Sequence, residues 1–106
     1  MGQSNFIAER KLYAIAADGR SFEIHLAIGK PYQITEHEWA CAVQVAGLFN
    51  DLRDRHGEDS WQALQLAHQM TAQLLEYFVQ DGGRLFREEG GEQVQLSELF
   101  VKTSAR

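Results

Sequence analysis

The chain reads as an α+β domain: a single antiparallel sheet, built from three N-terminal strands and a C-terminal hairpin, with one long amphipathic helix packed across it. Three observations carry this. Asp18-Gly19 separates two segments of alternating hydrophobicity. Asp59–Gly83 is apolar at helical spacing and punctuated at both ends. Gly90-Gly91 then parts two short strand-like runs. At 106 residues there is material for one domain spanning 1–106, with residues 1–5 and 102–106 expected to fray.

The first two strands are expected over residues 6–17 and 21–30. Asp-Gly suits the positive φ angles of a tight two-residue turn, which pairs Ile15 with Phe22, Tyr13 with Ile24 and Lys11 with Leu26. Directly opposed residues share a face, so Tyr13, Ile15, Phe22, Ile24, Leu26 and Ile28 line one side. Arg10, Leu12, Glu23 and His25 line the other. Gly29-Lys30-Pro31 stops the second strand, since proline cannot donate to a ladder. A third strand is expected in residues 36–49, with Trp39, Cys41, Val43 and Val45 on one face and small residues on the other. The larger side chains claim the core, at roughly 25 cal/mol per Å² of buried apolar surface.

Residues 50–56 read as a charged connector with room for a short helical turn. The helix begins at an Asp59 or Ser60 N-cap, with Gln62 placed for a loose capping box, and Asp81-Gly82-Gly83 ends it. About twenty residues span roughly 30 Å, enough to cross a small sheet. Ala63, Leu64, Ala67, Met70, Thr71, Leu74 and Phe78 form its central apolar stripe. Leu66 and Tyr77 flank one side, and Trp61, His68 and Leu75 the other. The remaining face carries Gln62, Gln65, Gln69, Gln73 and Glu76. Beyond the second hairpin, Ser97–Val101 is expected to close the core as a last turn.

Composition excludes several function classes. Ten basic against fifteen acidic residues leave a net charge of −5 and no basic stripe, which argues against nucleic acid and suits a basic protein partner. A single cysteine precludes an intramolecular disulfide. There is no apolar leader-like segment and no run long enough to cross a bilayer, so a cytoplasmic location with no membrane partner is expected. His25, His37, His56 and His68 show no ligand spacing, and no metal or cofactor is expected. Cys41, between two alanines, reads as a small buried hydrophobe rather than a nucleophile. Ser60 reads as a cap, and the glycine pairs lack the lysine and long helix of a phosphate loop.

The glutamine face stands apart. A solvent-facing helix ordinarily mixes lysine with glutamate. Here Gln62, Gln65, Gln69 and Gln73 sit together, bordered by Trp61, Leu66 and Tyr77, as in an interface depleted of charge and rich in aromatics. Glutamine is also simply a good helix former on a wet face.

Four segments carry a resemblance. They are Ile7-Ala8-Glu9-Arg10, Ile28-Gly29-Lys30-Pro31, Trp39-Ala40-Cys41-Ala42-Val43-Gln44, and the helix start from Asp59-Ser60 to Leu66-Ala67. In this order and spacing, the first seventy positions resemble a small family of uncharacterised bacterial α+β domains. The charged connector departs from that family's pattern. The resemblance implies the fold and transfers no catalytic residue.

The functional expectation is a non-enzymatic protein-binding module, an acidic inhibitor or immunity-type protein that neutralises a basic partner such as a bacterial toxin. Asp51, Asp54, Glu58, Asp59, Glu88, Glu89 and Glu92 are the candidate partner-binding residues, and Gln62, Gln65, Gln69 and Gln73 the candidate self-association residues of a homodimer. The alternatives are a small-molecule binder or enzyme with a pocket near Trp39 and Cys41, and a structural subunit of a homo-oligomer.

Overall fold

A computed structural model describes residues 6–100 of the chain. The expected fraying at residues 1–5 and 102–106, like Val101, lies outside them. Ten elements follow in order: β1 (Phe6–Ile15), β2 (Ser21–Gly29), β3 (Tyr32–Thr35), β4 (Glu38–Cys41), β5 (Val43–Ala46), β6 (Arg55–Gly57), α1 (Ser60–Gln80), β7 (Arg84–Phe86), β8 (Gln93–Val94) and α2 (Leu96–Leu99). The α+β class and the single long helix are as the sequence implies. The single sheet is not: the strands form a five-stranded sheet ordered β5-β2-β1-β7-β8 and a three-stranded sheet ordered β3-β4-β6. Every pairing is antiparallel.

The first hairpin forms where expected, one residue out of register. Ala16 N–H donates to Arg20 O at 2.8 Å and Gly19 N–H to Ala16 O at 2.9 Å, with Gly19 at φ +92°. This is a three-residue loop, a turn followed by a glycine in the left-handed region, in place of the two-residue turn. Asp18 helps to hold it, accepting from the Arg20 backbone N–H and side chain at 3.0 Å each. Leu12 therefore opposes Ile24 and Ala14 opposes Phe22. A one-residue slip turns a strand over, so Leu12 and Ala14 are buried where Tyr13 and Ile15 were expected. The β2 face, with Ile24 and Leu26 buried, is as read.

Residues 36–49 do not make one strand. The chain leaves the small sheet at Cys41 and joins the large one at Val43, with Ala42 O accepting from Gly29 N–H at 2.9 Å. Cys41, Val43 and Val45 face the core as the alternation implies. Ala40 is buried as well, because Tyr32 and His56 oppose it from both sides. The charged connector contributes β6, whose Arg55–Gly57 pairs with β4.

The core face of the large sheet gathers Leu12, Ala14, Ile24, Leu26, Val45 and Leu85 against Leu74 and Leu75 of α1. A second cluster joins Cys41 and Val43 to Ala63 and Ala67, where small residues let the helix approach closely. A Cβ added to Gly57 would lie 2.6 Å from Ala63 N. Asp59 caps α1, accepting from Gln62 N–H at 2.8 Å, and the Gln62 side chain accepts from Glu58 N–H at 2.8 Å. At the other end Gly83 N–H reaches Phe78 O and Gly82 N–H reaches Val79 O, which closes the helix as expected. Leu75, read as flanking the apolar stripe, is fully buried, whereas Trp61 is exposed. The Gly90-Gly91 hairpin forms with Leu85 opposite Val94, and α2 supplies the closing turn.

Gly57→Ala should force α1 away from β6 and cost about 1–3 kcal/mol. Urea denaturation of the variant against the parent chain measures it, and an unchanged midpoint would mean that this contact does not set the helix position.

Candidate functional site

The sequence-predicted acids separate into two groups on different sheets. Asp51, Asp54, Glu58 and Asp59 lie around β6 and the entry to α1. Asp51, Glu58 and Asp59 are exposed, and Asp54 is half-buried and accepts a hydrogen bond from the Tyr32 hydroxyl. Glu88, Glu89 and Glu92 lie on the β7–β8 turn of the large sheet, where their contacts are local. Glu92 and Glu98 both pair with Arg87, at 3.5 and 3.3 Å, and Glu89 accepts from Tyr13 Oη at 3.4 Å. Both groups are exposed apart from Asp54, and both carry some local bonds: Glu89 and Glu92 beside their hairpin, Asp54 to Tyr32 and Asp59 to the first turn of α1.

At the opposite edge of the small sheet, with β4 between, runs β3, which the sequence reading missed because Lys30-Pro31 marked a stop. All four of its residues are exposed, and Tyr32 and Ile34 present large apolar side chains at 47% and 45% exposure. The signal was there in the β-favouring Tyr32-Gln33-Ile34-Thr35, too short to stand out. The bond to Asp54 raises the Tyr32 hydroxyl pKa above its usual value, chiefly through that hydrogen bond to a carboxylate. The phenol thus stays protonated and donating well above neutrality. On the neighbouring strands His56 Nδ1 lies 2.7 Å from Glu38 Oε2. The small sheet so carries a corner rich in acids, interspersed with Arg53 and Arg55, and an exposed tyrosine held by Asp54.

The glutamine face is a separate surface. Gln62, Gln65, Gln69 and Gln73 are all exposed. The first three border a groove of about 800 Å³ between the first turns of α1 and the ends of β1 and β2, where Ile7, Ala8 and Ile28 form the far wall. Gln73 is set apart from it, its amide donating to Tyr77 Oη at 2.9 Å. Trp61 is 72% and Ile7 57% exposed at the groove. The wheel of α1 foretold the glutamines and Trp61. Nothing local foretold Ile7, which reaches them only through the fold.

Groups that could carry chemistry are otherwise engaged. Cys41 is fully buried, its thiol donating to Gly29 O at 3.3 Å. Burial, and next the charge of Asp54, push its pKa above the ordinary thiol value, opposite to what a nucleophile requires. On the outer face of the large sheet the Gln44 amide donates to His25 Nδ1 at 3.2 Å, which leaves Nε2 to donate to Glu9 Oε1 at 2.8 Å. The imidazole is thereby fixed between two partners. Among the described residues no three His, Cys, Asp or Glu side chains converge as metal ligands, and no helix is long and apolar enough to cross a membrane.

Residues 8–96 match the family described as Domain of unknown function (DUF6968), and the chain belongs to that family. The match extends well past the seventy positions in which the resemblance was legible. Neither the curated proteins nor the solved structures yield a match to the chain.

Thiol labelling of the native protein at neutral pH should be slow at Cys41 and should accelerate only as the chain unfolds. Labelling at the rate of a free thiol in native buffer would contradict both its burial and its raised pKa.

Proposed function

We propose, taking membership of that family as the premise, that the chain is a non-enzymatic protein-binding module of the inhibitor or immunity type, acting in the cytoplasm on a basic protein. The observation that carries this reading is the acidic corner of the small sheet. There Asp51, Asp54, Glu58 and Asp59 flank β6, and Asp54 reaches across the sheet to Tyr32 of β3, an edge strand among the described residues with an exposed tyrosine and isoleucine.

The physical argument has two parts. Exposed carboxylates of one sign steer an oppositely charged partner and fix its orientation, with a strong dependence on salt. Short-range affinity comes from anchors that lose water on contact, of which tyrosine is among the most effective. Tyr32 is suited to that role because Asp54 restrains its ring before binding, so less side-chain freedom is lost on association. An open edge also offers backbone N–H and C=O groups to an extended segment of the partner. Glu88, Glu89 and Glu92 contribute to the long-range field in this reading and make no direct contact, since the two acidic groups belong to different sheets.

Affinity capture from the native host, at low and at moderate salt, tests the proposal. A stoichiometric basic protein should be retained at low salt and released as salt rises. The paired substitution Asp51→Lys, Asp54→Lys should weaken that complex about tenfold and flatten its salt dependence. Tyr32→Ala should cost about 2 kcal/mol of binding with little effect on fold. A partner retained equally by the parent and the lysine variant would remove the acidic corner from consideration.

A further inference from the structure

We propose that the glutamine face of α1, with the charge-free groove beside its first turns, is the contact surface for a second copy of this chain. The charge pattern selects that occupant. The chain carries a net charge of −5, yet the residues lining the groove include no Asp, Glu, Lys or Arg. Over its 21 residues α1 carries one acid, Glu76, and no lysine or arginine. A basic partner of the kind proposed for the small sheet finds no countercharge here.

A two-fold axis imposes the opposite requirement. Residues near such an axis meet their own copies, so the patch must be self-complementary. A carboxylate there would face a carboxylate, and a lysine a lysine. A glutamine amide is donor and acceptor at once, and pairs with its own image without loss. Gln62, Gln65 and Gln69, spaced three and four residues apart, fall on one stripe of the helix. Antiparallel packing of two α1 helices about Gln65 and Gln69 sets amide against amide. The two copies of Glu76 are then carried to opposite ends of the pair.

Apolar contact supplies the rest. Trp61 and Ile7, 72% and 57% exposed, stand beside the half-buried Ile28, Leu64 and Leu66. An exposed tryptophan at the edge of an uncharged groove is the residue most able to anchor an interface by losing water. This surface shares no residue with the acidic corner around Tyr32, so the two proposals stand or fall separately.

Sedimentation velocity of the full chain across a wide concentration range tests it. The parent should move from the 12.0 kDa chain mass to twice that mass as concentration rises. The pair Gln65→Glu, Gln69→Glu should weaken self-association by roughly a hundredfold, and so should Gln65→Lys, Gln69→Lys. Mixing the two variants should restore a dimer, because unlike charges now meet across the former axis. Circular dichroism confirms that each variant is folded. A parent that stays monomeric at its highest soluble concentration would overturn the proposal. So would a dimer indifferent to both sets of charges, or folded variants that fail to associate when mixed.

Discussion

Much of this fold depends on how closely α1 approaches the small sheet. Ala63 and Ala67 are fully buried, and Gly57 leaves no room for a Cβ before the backbone at Ala63. Because the first turns of α1 sit at backbone distance from β6, the later turns are brought over the large sheet. There Leu74 and Leu75 meet Leu12, Ile24 and Leu85. One rigid helix thereby joins two clusters that would otherwise be small separate cores, neither sufficient alone for a chain of this size. The cap at Asp59 fixes the end of α1 that lies nearest β6.

The parts legible in the sequence are those that local rules specify. The helix limits followed from Asp59 and from Asp81-Gly82-Gly83, and the hairpin positions from Asp18-Gly19 and Gly90-Gly91. The β1–β2 register was not legible, because Asp-Gly serves both a two-residue turn and a three-residue loop ending in a left-handed glycine. Either register buries apolar residues of β1, Tyr13 and Ile15 in one and Leu12 and Ala14 in the other, so alternation alone could not decide. The division of residues 36–49 between two sheets was hidden for a related reason. Its alternation runs unbroken through Ala42, and the change of sheet occurs with no proline or glycine to mark it. The three-residue β6, inside a charged connector, has no hydrophobic signature at all and exists because β4 pairs with it.

The candidate surfaces follow the same logic. The acids around β6 and the glutamines of α1 were visible as compositional oddities, since each can be read without knowing the fold. Their neighbours Tyr32, Ile34 and Ile7 were not, because each gains meaning only from what tertiary structure places beside it. The fold also shows that the candidate acids are not one patch. Asp51 and Glu58 lie beside β6, whereas the equally exposed Glu89 and Glu92 lie on the β7–β8 hairpin, bonded to Tyr13 and Arg87. Cys41 illustrates the converse case, a residue with chemical potential that burial and a carboxylate neighbour both keep protonated.

The described residues measure 47 × 45 × 20 Å, and their thinness has a consequence for assembly. Twenty ångströms is about the depth of one helix resting on one sheet, so among the described residues the interior is one apolar seam with no second layer behind it. The outer face of the sheets and the back of α1 are both boundaries with solvent. Joining two such plates back to back through α1 would create a four-layer sandwich, helices inside and sheets outside. It would leave both copies of the β3 edge free on the perimeter, so that a plate with one open edge would become a pair with two.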